Sequence, residues 1–158
     1  PAHYYTNFTY WTQHCWGVTC VNDMEAMLSY LPISTANKDQ ALADLVRCYE
    51  RMMMRSHTNG GYVNLLDECW KMCEKFNVNI VIMYDHVSCK NVGGLHGLFE
   101  DQARERGIHL IWIPHDVMDP RTVSRREMRE AFNQYMTTVL REEPLDPTLL
   151  DYEDNLSW

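Results

Sequence analysis

Cys89 stands where a thiol could do chemistry. It lies in Asp85-His86-Val87-Ser88-Cys89-Lys90-Asn91-Val92-Gly93-Gly94, after an apolar run and ahead of a glycine pair. A neighbouring cation and a helix start both favour the thiolate, the form that ligates metal or attacks carbon. Ser88, Lys90, Gly93 and Gly94 complete the candidate binding loop, in which the glycine pair lets backbone amides come close to a ligand. The competing reading is an ordinary loop thiol. A second segment, Pro114-His115-Asp116-Val117-Met118-Asp119-Pro120-Arg121, also follows an apolar run. His86 and His115 are the candidate acid-base residues, since imidazole can give or take a proton beside a substrate carbonyl. His109 falls inside an apolar run and reads as a core residue.

The other cysteines carry less. Cys69 and Cys73 have i, i+4 spacing, but they sit on an apolar helical stripe and read as packing. Cys48 has no partner close in sequence. Cys15 and Cys20 are too far apart for a CxxC pair, and a second pair that would complete a zinc site is missing. No GxGxxG, GxxxxGK[ST] or GxSxG motif occurs, which argues against nucleotide hydrolysis or serine chemistry.

Both chemical segments need strands that end just before them. Val78-Asn79-Ile80-Val81-Ile82-Met83-Tyr84 is such a run, nearly unbroken and β-branched, as a parallel strand covered on both faces requires. Ile108 to Ile113 predicts the next strand. Between them a helix is expected from about Leu95 to Arg106, stopped by Gly107. Upstream, Tyr62 to Phe76 predicts a helix with Tyr62, Leu65, Leu66, Cys69, Cys73 and Phe76 on its apolar stripe. Before that, Asn37 with Gln40 opens a helix carrying Leu42, Leu45, Val46, Tyr49, Met52 and Met53, which ends ahead of Asn59-Gly60-Gly61. Asn22 to Glu25 opens a short helix through Met27, Leu28 and Leu31, closed by Pro32. Residues 2 to 21, rich in Tyr, Thr, Phe and Trp, read as strand or irregular lead-in. Ser124 to Glu127 is a capping box for a last helix with Met128, Ala131, Phe132, Tyr135, Met136 and Val139 inward. Residues 141–158 form an acidic, proline-interrupted tail that wraps the domain or a partner. The order predicts a single α/β domain over 1–158, a three-layer flavodoxin-like or Rossmann-like fold with a parallel sheet, whose ligands gather beyond the carboxyl ends of the strands.

The chain has 158 residues, of which 46% are hydrophobic and 23% charged, a globular composition. With 14 basic against 22 acidic residues the formal charge is −8, which disfavours nucleic acid as a partner. No apolar run approaches the roughly 18 residues of a membrane span. A cytoplasmic location is expected, and six cysteines then read as thiols and not as a disulfide framework. The start at Pro1, without an initiator Met, suggests a chain that begins in the middle of something longer.

Two segments together resemble one family. The strand followed by Ser88-Cys89-Lys90, and the later strand followed by Asp116-Val117-Met118-Asp119-Pro120-Arg121, are similar to the C-terminal domain of the 2-hydroxyacyl-CoA dehydratase and ATP-dependent benzoyl-CoA reductase family. The resemblance covers roughly Tyr62 to Leu140. It implies an oxygen-sensitive iron-sulfur enzyme of anaerobic metabolism, a heterodimer of homologous flavodoxin-like subunits. Carried over, Cys89 is a ligand of a [4Fe-4S] cluster whose other cysteine ligands are absent from this chain, which would be the C-terminal part of a longer subunit. A separate ATP-dependent activator would deliver single low-potential electrons, and the substrate would be an acyl-CoA. The aromatic-rich N-terminal stretch and the extended tail lean toward the aromatic-ring reductase branch. Anionic CoA would need a local basic edge, for which Lys90, Arg121, Arg125 and Arg126 are available. The alternatives are a non-catalytic flavodoxin-like interaction module and an FMN-binding domain.

Overall fold

The computed structural model describes residues 7–24, 31–119 and 121–151. Contacts group the chain into two units, one formed by Pro1–Val21 with Val78–Trp158 and the other by Asn22–Asn77.

In the first unit the two apolar runs pair as parallel strands. β1 (Ile80–His86) lies beside β2 (His109–His115), with Ile80 opposite His109 and His86 opposite His115. Alternation along the strands sends side chains to two faces. On one face Ile82, Tyr84, Ile111 and Ile113 meet α1 (Phe8–Trp16) and α7 (Arg125–Tyr135). Phe132 is fully buried there, with Phe8 at 5.9 Å and Trp11 at 5.7 Å between ring centroids, both edge-on. The opposite face carries Trp112, on which His96 stacks at 3.6 Å and Phe99 packs edge-on. Both come from α6 (His96–Arg106), the crossover helix that joins β1 to β2 and ends at Gly107 in the left-handed conformation. Helices thus cover both faces of a parallel sheet, the α/β fold expected from the sequence. A short helical turn, α5 (Lys90–Gly93), lies in the loop after β1.

The N-terminal stretch of this unit differs from expectation. Phe8–Trp16 is a helix, not strand or irregular chain. Its buried residues Phe8, Trp11, Thr12, Cys15 and Trp16 recur at three- and four-residue intervals, so one face of a helix buries all of them. That burial outweighs the β propensity of Thr and the aromatics. Gly17, at φ 72°, ends it in a left-handed turn that a Cβ would strain.

α7 begins at the capping box that the sequence announces. Ser124 accepts from the Glu127 amide at 3.2 Å, and Glu127 accepts from the Ser124 amide at 2.7 Å. After Tyr135 the helix widens into a π-helical turn, Met136–Leu140. The wider turn changes the phase, so Met136 is buried while Val139, expected inward, is exposed. The tail then returns across α1. The Leu145 amide donates to Cys15 O at 2.7 Å, and Trp11 Nε1 donates to Leu149 O at 2.9 Å.

The second unit is helical. Asn37 caps α2 (Lys38–Glu50), its side chain accepting from the Gln40 amide at 2.8 Å. The expected continuation to Met53 is broken at Met52, whose extended backbone separates α2 from α3 (Met53–Gly60). Leu42, Leu45, Val46 and Tyr49 are exposed despite their helical spacing, and Asp44 is the buried residue of α2. Its carboxylate accepts from the Ser34 amide, the Gln40 side chain and Arg47, which turns the polar side of the helix toward the 31–36 segment. α4 (Tyr62–Phe76) has the predicted limits, and Leu65, Leu66, Cys69 and Cys73 are buried on it, whereas Tyr62 and Phe76 at its ends are exposed. The short helix expected near Met27 lies outside the described residues.

Candidate functional site

The ends of β1 and β2 carry the candidate residues to one edge. His86 and His115 are register partners, their rings perpendicular at 5.9 Å between centroids. The two loops are joined at this point, since the Val87 amide donates to His115 O at 3.1 Å. Cys89 follows within one turn. Its amide donates to His86 O at 2.8 Å, and its thiol is free and half-buried. Ser88 and Lys90 beside it are exposed.

The histidines differ in surroundings. His115 is buried, tilted against Tyr84 at 5.3 Å. His86 is half-buried, accepts the Ser88 amide at Nδ1 (3.0 Å), and places Nε2 3.7 Å from Asp116 Oδ1. Asp116 is a buried carboxylate held below the usual range, chiefly by the Met118 amide, then by the Asp119 amide, the Thr122 side chain and the His86 ring, against the effect of burial. Sequence reasoning did not single it out, because its importance rests on lying across the sheet from His86. A second histidine–carboxylate contact, His96 Nε2 to Asp85 Oδ1 at 3.3 Å, marks the far end of the same loop. His109, expected in the core, is exposed at the first position of β2, with Tyr135 Oη 3.5 Å from its Nδ1.

The glycines act differently from expectation. The Gly93 amide donates to Cys89 O and the Gly94 amide to Lys90 O, so both are spent on closing α5. Gly93 leaves open space where a Cβ would stand. Two of the four cations of the basic edge are neutralised. Arg121 forms a two-pronged pair with Asp119, whose carboxyl the guanidinium draws down to about 2, and Arg126 pairs with Glu130 at 2.7 Å. Lys90 has no carboxylate partner among the described residues, and it is the cation nearest Cys89 in sequence.

Among the described residues no group of three or more His, Cys, Asp or Glu side chains could hold a metal ion. Cys15 is unsuited to ligation, since burial and then the negative charge of Asp146 push its thiol up to about 11. Cys69 and Cys73 are buried in the helical unit and Cys20 is exposed. Cys89 is therefore the thiol that the fold presents at the strand-end edge.

The sequence matches the family model of the 2-hydroxyglutaryl-CoA dehydratase D-component over residues 1–136. The chain belongs to this family. The match takes in both strands, the Cys89 turn and all of α7. This dehydratase family is one of enzyme components, and the word component implies a companion subunit in a complex. Comparisons with curated proteins and with solved structures return no match. Among the described residues no helix is long and apolar enough to cross a membrane.

Proposed function

We propose that this chain forms part of an iron-sulfur subunit of a 2-hydroxyacyl-CoA dehydratase, in which Cys89 is one thiolate ligand of a [4Fe-4S] cluster. The observation that supports the reading is a free, half-buried thiol at the carboxyl end of β1, within the stretch matched by the dehydratase family. Cluster irons take thiolate ligands, and hydrogen bonding and burial around the sulfur tune their potential. The chain supplies one ligand, and cysteines absent from it supply the others. When bound, the cluster would provide single low-potential electrons for the chemistry of an acyl-CoA thioester, received from an ATP-dependent activator. The chain's own residues bind and orient. Cys89 would hold one iron, Lys90 follows it in sequence with a positive charge, and exposed Ser88 offers a hydroxyl to a ligand at this edge. The companion is a homologous subunit.

The dehydratase branch is preferred to the aromatic-ring reductase because the features that leaned the other way are used in packing. The N-terminal aromatics Phe8, Trp11 and Trp16 are core, and the tail is tied to α1. Anaerobic purification of the assembled complex, with and without Cys89→Ala, tests the reading. Broad visible absorbance with iron and sulfide is expected for the parent, and loss of both for the variant. Unchanged iron content in Cys89→Ala, or a flavin spectrum in the parent, would refute it.

A further inference from the structure

We propose that His86 and Asp116 are positioning residues that fix the Cys89 turn against the end of β2, an inference that rests on reading Cys89 as the ligand thiol. The Ser88 amide donates to His86 Nδ1 at 3.0 Å, so this nitrogen presents its lone pair and carries no proton. In a neutral imidazole the proton is then on Nε2, which faces Asp116 Oδ1 at 3.7 Å. This is an electrostatic contact, longer than a hydrogen bond.

Asp116 is anchored independently. Its Oδ1 accepts from the Met118 amide at 2.9 Å and from the Asp119 amide at 3.2 Å. A carboxylate beside Nε2 favours an N–H there over a lone pair, so both neighbours select one tautomer. The backbone repeats the link, with the Cys89 amide on His86 O and the Val87 amide on His115 O. The single lone pair of Nδ1 is occupied by the Ser88 amide and is not open to a substrate proton. His86 thus acts through Cys89, as outer partners orient a ligand in other metal sites.

NMR of the ¹⁵N-labelled chain, at a pH where the ring is neutral, reads the tautomer directly. A proton on Nε2 is expected, and a proton on Nδ1 would overturn the proposal. Three substitutions then separate the two nitrogens. His86→Ala and His86→Gln lack an acceptor at the δ position, and the Ser88 amide should exchange with solvent roughly fivefold faster or more. His86→Asn puts Oδ1 in place of Nδ1 and should keep protection within about twofold of the parent. Alkylation of Cys89 by iodoacetamide, followed peptide by peptide, should speed up in the same order, with exposed Cys20 unchanged. Equal exchange in the Asn and Ala variants, or equal Cys89 alkylation in all, refutes positioning. If the Ala variant does not fold, the parent's tautomer still decides. Iron and sulfide in Cys89→Ala test the ligand reading separately, and that reading can fail while the tautomer stands.

Discussion

Cys15 and Cys89 are free thiols in the same unit, and their surroundings give them opposite uses. Cys15 is fully buried, with Sγ 3.7 Å from Asp146 O, and its thiol is pushed up to about 11 by burial and then by Asp146. The native state keeps that proton to about pH 11, while the unfolded chain releases it near the ordinary value of 9.0. Protons bound by the folded state alone make stability fall as pH rises. The contribution of Cys15 to stability should therefore be complete below pH 9 and decline through the interval to about 11. In urea unfolding across this range, Cys15→Ala should be less stable at neutral pH but decline less steeply. An equal slope would show that Cys15 does not titrate in this way. At this scale Cys89 stands out in the sequence as a candidate, because a strand end, a cation and glycines surround it within ten residues. The sequence did not reveal Asp116, whose partner lies across the sheet, nor that Arg121 and Arg126 are taken by Asp119 and Glu130.

Elements were legible where their signals are local. The end of α4 and the start of α7 follow from a left-handed Asn77 and the Ser124–Glu127 box, each contained in a few residues. α1 was hidden because its residue types favour strands while their spacing favours a helix, and only burial against Phe132 and Ile113 decides between them. In α2 the cap and the helical spacing were legible, whereas the buried side, the one that carries Asp44, was not. The capping box makes a measurable contribution. Ser124→Ala removes the acceptor for the Glu127 amide and a donor to the Glu127 carboxylate, and should cost about 1 kcal/mol by urea unfolding. Ser124→Asp, which keeps an acceptor at the cap, should recover most of that. If Ser124→Ala left the midpoint unchanged, α7 would owe its start to tertiary packing alone.

At the scale of the molecule the sheet unit is assembled from both ends of the sequence. Two strands with their crossover helix look self-sufficient as a pattern, but the face bearing Ile82, Tyr84, Ile111 and Ile113 is closed by α1 from the N-terminal stretch as well as by α7. The tail locks α1 in place through Trp11 Nε1 and the Leu145 amide. A chain shortened to residues 78–158 retains the Cys89 turn, both histidines and Asp116, but loses Phe8, Trp11, Cys15 and Trp16 from the core. Losing even one buried aromatic side chain costs about 3–5 kcal/mol, a large part of the stability of an ordinary domain. The shortened chain should bind the hydrophobic dye ANS and unfold without a cooperative transition, whereas the full chain should unfold cooperatively and bind little dye. Cooperative unfolding of 78–158 would instead mean that α7 alone suffices to cover the sheet, and that the N-terminal helix serves some purpose other than completing the core beneath the site.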